Sequence, residues 1–283
     1  MTLRELDVSE LTIAIRQMCL DAAYKLGDDV VAAITDARDR EQSPVGRDVL
    51  GSLLENAAIA AEGVFPYCQD TGSTVVFLDV GQDVHLVGGD VVDAVNEGVR
   101  QGYTEGFLRA SIVTDPMFAR KNTGDNTPAF LHMRIVPGDR VRMTVDAKGG
   151  GSENKSKHVM LVPADGVDGV KRFVLETVTK AGADCCPPGI IGVGVGGNFE
   201  WSAILAKRAL LRHVGEPNPD PAIADLERSL LADLQALGLG PQAMGGTVTA
   251  LAVHIETLPT HIASLPVAVN IECHAHRTRT VEL

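Results

Sequence analysis

The chain has 283 residues, with 25 Lys+Arg against 37 Asp+Glu, a formal net charge of −12 and 45% apolar residues. A chain of this length and apolar content buries a sizeable core without a disulfide or structural metal. Its acidic balance comes with no basic block and only 4% aromatics, which argues against the phosphate-neutralising and base-stacking surfaces of a nucleic-acid binder.

In chain order, LTIAIRQMCLDAAYKL and DDVVAAITDARDRE carry apolar residues at three- and four-residue spacing. They predict two helices between about residues 9 and 42, with Gly27 as the stop between them. A third helix is expected from Gly46 to Glu62. Cys19 falls in the first apolar stripe and reads as a small core residue. STVVFLDVG then predicts a strand, and DVVDAVNEGVRQGYTEGFL a helix. Residues 129–163 predict three strands joined by a Pro-Gly-Asp turn and a glycine run. A helix follows in GVDGVKRFVLETVTKAGA, a glycine-interrupted strand in IIGVGVGG, and helices in SAILAKRALLRHV and PDPAIADLERSLLADLQALGLG. TVTALAVHIETL and SLPVAVNIEC predict the closing strands. The expected fold class is α/β, mixed α+β, with a helical N-terminal third followed by mixed β-sheets flanked by helices, read as one domain over residues 1–283.

No apolar run reaches the roughly 18–20 residues that span a bilayer, and the charged N-terminus lacks the pattern of a secretory signal. The five cysteines, Cys19, Cys68, Cys185, Cys186 and Cys273, are odd in number and scattered, unlike a secreted disulfide framework. A reducing, cytoplasmic location is expected, with no membrane partner.

Three segments combine a thiol with turn-forming residues: PYCQDTGST, DCCPPGIIGVGVGG and NIECHAHRTR. Their spacing is not that of structural zinc, which takes close cysteine pairs. Three distant thiols suit a cluster assembled from three loops, in which three thiolates on an iron–sulfur cube leave one iron open; buried structural cysteines are the alternative. GGGSENKSK offers a mobile turn with free amides able to wrap an anion, and it lacks Walker spacing. GVGVGG does not match a dinucleotide fingerprint and reads as a place of close backbone packing. Arg109, Arg120 and Lys121 form a local cationic cluster suited to a small carboxylate, or else a solvated salt-bridged loop. His254, His261, His274 and His276 leave a zinc reading open.

PYCQDTGST, LRASIV-DP-ARKNTGDNTP, IVPGD, GGGSENKSK, CPPGIIGVGVGG and HIASLPVAV-CHAHR occur in this order. Together they resemble the α part of the class I, iron–sulfur fumarate hydratases and L-tartrate dehydratases, from about residue 40 to the C-terminus. The resemblance implies a [4Fe–4S] cluster held by Cys68, Cys186 and Cys273, with Cys185 as an extra thiol. It implies substrate contacts at Gln69, Asp70, Arg109, Gly150, Gly151 and His261, with Asp70 as the acid that protonates the departing oxygen. The implied reaction is reversible hydration of fumarate to (S)-malate, or dehydration of L-tartrate to oxaloacetate, on a small dicarboxylate. In this family the base and further substrate contacts belong to a β part. A separate β subunit is therefore expected, in an α2β2 hetero-oligomer.

Overall fold

The computed structural model describes residues 3–283. The first half of the chain forms β1 (Arg4–Asp7), α1 (Val8–Tyr24), α2 (Asp28–Arg40), α3 (Pro44–Ala61), β2 (Ser73–Gly81), β3 (Val84–Val87), α4 (Val91–Glu105), β4 (Phe130–Val136) and β5 (Val141–Lys148). The second half forms α5 (Gly150–Glu153), β6 (Lys157–Leu161), α6 (Gly166–Ala181), β7 (Gly189–Gly196), α7 (Phe199–Ala209), α8 (Pro221–Gln235), β8 (Ala250–Leu258), β9 (Leu265–Glu272) and β10 (Thr278–Glu282). The mixed class and the helical N-terminal region agree with the sequence pattern.

The elements gather into two compact units. One comprises the described residues up to Gly27, Ala57–Gly149 and Arg277–Leu283; the other comprises Asp28–Asn56 and Gly150–His276.

The first unit is built on a sheet of order β10-β5-β2-β4. The β2–β5 and β5–β10 pairs are antiparallel and the β2–β4 pair is parallel. Strand side chains alternate between faces, and Val76, Leu78 and Val80 of β2 join Val141, Met143 and Val145 of β5 on one of them. Leu11, Ile15, Met18 and Cys19 of α1, with Val95, Val99 and Tyr103 of α4, complete that core. Two glycines of α4 let α1 approach: a Cβ at Gly98 would lie 2.8 Å from the Thr12 carbonyl, and one at Gly102 equally close to Cys19 Cβ. Burial pushes the Cys19 thiol up to about 12, as suits a core cysteine. The helices start where aspartates cap them, Asp7 on Ser9 N at 2.9 Å and Asp90 on Val92 N at 2.8 Å.

The second unit has a sheet of order β6-β9-β7-β8 covered on both faces. Val193 of β7, Val253 and Ile255 of β8, and Val267, Val269 and Ile271 of β9 meet α6 and α8 through Val170, Val174, Val178, Leu230 and Leu234. On the opposite face α7 lies directly on β7. A Cβ added at Gly192 or Gly194 would run into the carbonyls of Ala206 and Ser202, so GVGVGG is the close-packing sequence its composition suggested.

The sequence pattern did not indicate β1, β3 and β10, which are only four or five residues long. GGGSENKSK differs from the expected mobile turn, because Gly150–Glu153 form a single helical turn.

Candidate functional site

The predicted residues fall into two groups, one in each unit. In the first unit, Cys68, Gln69 and Asp70 lie in the turn before β2. Tyr67, buried, fixes the turn's entry by donating its backbone N–H to Ala23 O at 2.9 Å. At the exit Gly72 adopts φ +77, where a Cβ would lie 2.6 Å from the Lys148 carbonyl, so only glycine fits there. Asp70 Oδ1 accepts from Gly72 N at 3.0 Å, and Arg277, 1% exposed, donates from Nη1 to Asp70 O at 2.7 Å.

The LRAS segment is tied to the same turn. Thr71 Oγ1 donates to Arg109 O at 2.5 Å, and Tyr103 Oη donates to Thr71 O at 2.8 Å. Asn126, wholly buried, receives Ser111 N at 2.8 Å and donates to Gly72 O at 3.2 Å. The CQDTG, LRAS and NTGDNTP sequences thus converge on one backbone-bonded region, with Cys68 and Asp70 partly exposed and Gln69 and Arg109 exposed. Residues 112–123 form a hairpin through Thr114 N to Lys121 O and Thr123 N to Ile112 O. Arg109 stands at its base, while Arg120 at its tip donates to Pro116 O at 2.6 Å.

In the second unit the antiparallel β7–β9 pair puts Ile190 opposite Glu272. Cys186, three residues before β7, and Cys273, one residue after β9, are therefore brought to the same end of the sheet. His274 N donates to Cys186 O at 3.4 Å, joining the two segments directly. Cys186 sits at φ 51, ψ 65, in the left-handed region. Its neighbour faces the other way: Cys185 is buried, donates Sγ to Gly182 O at 3.3 Å, and burial pushes its thiol up to about 11. Of the adjacent pair, Cys186 is the one left accessible as a ligand.

Gly150 and Gly151 are exposed in α5. Glu153, at the end of this turn, takes Lys207 Nζ at 2.9 and 3.0 Å, and Asn270 Nδ2 donates to Glu153 Oε2 at 2.8 Å. These bonds fix the turn to α7 and to β9 just ahead of Cys273. His261 is elsewhere. It lies in the exposed loop after β8, beside an apolar cleft of about 430 Å³ lined by Val170, Val195, Ile223, Leu226 and Leu265. Cys186 and Cys273 are at the opposite end of the β7–β9 ladder, and eight residues of strand span roughly 25 Å. His254 is also apart from that end: it is buried on β8, its Nδ1 pairs with Ala209 O at 3.2 Å, and burial with the Arg212 charge pushes its pKa down to about 4. Neither His254 nor His261 thus lies at the sheet end where His274 follows Cys273.

Sequence reasoning missed two groups. Asp146 on β5 is wholly buried, with neither carboxylate oxygen hydrogen-bonded; in the alternating strand VRMTVDAK nothing set it apart from the other polar positions. Gln242 donates both its backbone N–H and its Nε2 to Pro187 O, each at 2.9 Å. Nothing in the glycine-rich stretch around it marked that role. No helix among the described residues is long and apolar enough to cross a membrane.

The fold and these motif-built turns define a mixed α/β chain whose accessible thiols stand on loops next to polar and cationic groups. The family profile described as fumarate hydratase (Fumerase) matches residues 12–282, and the chain belongs to this family of hydro-lyases. It is 39% identical over 263 residues to a protein of Methanocaldococcus jannaschii provisionally named as L(+)-tartrate dehydratase subunit alpha, covering 91% of this chain and 92% of that one. It is 32% identical over 279 residues to the L(+)-tartrate dehydratase subunit alpha of Escherichia coli strain UTI89, covering 98% and 91%. The same subunit of strain K12 matches at 32% over 276 residues.

Proposed function

We propose that this chain is the α subunit of an iron–sulfur hydro-lyase that dehydrates L-tartrate to oxaloacetate, with a separate β subunit completing the active site. The observation that carries the reading is the junction of Cys186 and Cys273 at one sheet end, with Cys185 turned into the core. The donor set fits the implied [4Fe–4S] group. Cys68, Cys186 and Cys273 are partly exposed, whereas Cys19 and Cys185 are buried. When bound, a cluster on these three thiolates supplies Lewis-acid stabilisation for the departing hydroxide.

The chain's own residues do the rest. The Arg109 guanidinium, held by its backbone bond to Thr71, pairs with a substrate carboxylate through a planar fork. Gln69 and the amides of Gly150 and Gly151 orient the second carboxylate, converting binding into alignment. Asp70 supplies the proton to the leaving oxygen, and a base from the β subunit takes the proton from the neighbouring carbon. His261, beside an apolar cleft at the far end of the strands, has no part in this scheme.

Hydration of fumarate to (S)-malate is the second reading, supported by the family description; the names of the relatives support tartrate. Co-expression with a β subunit, anaerobic reconstitution and comparison of rates on L-tartrate, malate and fumarate tests both. Faster turnover of L-tartrate supports the first reading and faster turnover of malate or fumarate the second. Robust turnover by the α chain alone refutes the need for β. A cytoplasmic α2β2 assembly completes the proposal.

A further inference from the structure

We infer that Gln242 is a positioning residue that braces the turn carrying Cys186 as a cluster ligand. The inference rests on the iron–sulfur reading above. Prolines follow Cys186 directly, so the turn has no amide donors of its own at positions 187 and 188. It is held from outside through the Pro187 carbonyl, which receives Gln242 N and Gln242 Nε2, each at 2.9 Å. Gln242 makes both bonds from φ 52, a conformation that costs a non-glycine residue energy, and Ala243 follows at φ 55.

The surrounding loop is built to hold that conformation. Gly240, Gly245 and Gly246 all have positive φ, and a Cβ at Gly240 would lie 2.3 Å from the Gly245 carbonyl carbon's position without it being able to yield. Gly245 N bonds Leu239 O at 2.8 Å and closes the loop on itself. Its far side is anchored by Glu41, wholly buried at the end of α2, which accepts Thr247 N at 2.9 Å and Val248 N at 2.8 Å. A strained glutamine, a closed loop and a buried carboxylate anchor thus converge on one carbonyl next to the thiol. A loop that needed only to be stable would not require a left-handed glutamine at the contact.

The test uses the full chain with Gln242→Gly and Gln242→Ala. Gln242→Gly suits φ 52 and keeps the loop foldable while deleting the side-chain bond. In the apo chain, iodoacetamide labelling mapped by mass spectrometry should show Cys186 reacting at an altered rate while Cys68 and Cys273 are unchanged. In anaerobically reconstituted protein, iron release to a chelator should be about fivefold faster, as expected for loss of one hydrogen bond, with the melting temperature of the Gln242→Gly apo chain held or raised. Unchanged Cys186 labelling and unchanged iron release overturn the brace. Equal changes at all three cysteines also overturn it, because they indicate general loosening. A wild-type chain that takes up no iron refutes the cluster reading instead, and Cys186 labelling then decides the brace alone.

Discussion

Asn270 Nδ2 donates to Ser156 Oγ at 2.9 Å, and the same hydroxyl receives Ile271 N at 3.0 Å. The glycine-run motif is thereby bonded to β9 three residues ahead of Cys273. Asn270 is 6% exposed and also serves Glu153, so removing its amide leaves buried partners unpaired. Asn270→Ala should cost about 1–3 kcal/mol, read as a lower urea midpoint at unchanged slope. With a β partner present, it should also raise KM.

The two adjacent cysteines should separate cleanly. Cys185→Ser is expected to retain iron and sulfide near wild-type levels, because its thiol is turned to Gly182 O. Cys186→Ser should lose most of the iron. Equal loss in both, measured by anaerobic iron and sulfide analysis, would reverse the assignment.

Gly194 tests the contact between β7 and α7. A Cβ there meets the Ser202 carbonyl and the backbone of Ala206, so Gly194→Ala must push the helix off the strand. Overpacking of this kind costs about 1–3 kcal/mol or more. The expected result is a clearly lower melting temperature, whereas Gly124→Ala, with open space around its Cβ but φ +86, should cost less.

Arg109→Ala should leave iron content and assembly intact while raising KM for the dicarboxylate. Arg109→Lys should recover only part of the loss, since an ammonium lacks the two-pronged geometry. Equal loss of iron in Arg109→Ala would instead give the residue a structural role.

His254 makes stability depend on pH. Its folded pKa of about 4 lies below the ordinary 6.5, chiefly because burial disfavours the charged form. Protons therefore bind the unfolded chain first. Its contribution is intact above about pH 6.5 and declines as pH falls toward 4, by at most about 3 kcal/mol. His254→Gln should flatten the stability profile in that window, and an unchanged profile would discard the idea.

Much of this architecture can be read from local pattern. Helical periodicity located α1, α2, α4, α6 and α8, and the β-branched run STVVFLDVG, ending at glycine, matched β2 residue for residue. GVGVGG was readable because close backbone approach demands the absence of a side chain. What escaped depends on pairing between distant residues. β10 is five polar-leaning residues whose strand character comes from lying beside β5, and Arg4–Asp7 is a strand because Val84–Val87 pairs with it. Gln242 and Glu41 escaped for a related reason: each acts through backbone groups of a loop far along the chain, which leaves no composition signal. The ordered motifs named the thiols and set Cys186 apart from Cys185 by its place before the prolines; the structure adds the physical reason, a Cys185 thiol buried against Gly182 O.

The position of β10 sets an order of events during synthesis. Its partner β5 is made early, yet residues 278–282 are translated only after every strand of the second unit. Until they emerge, the outer edge of β5 has exposed main-chain groups, and Arg277 is not yet present to bond the Asp70 carbonyl. The nascent chain thus carries an unpaired sheet edge from the completion of β5 at Lys148 until β10 begins at Thr278, a period in which a chaperone covering that edge would have the most to protect.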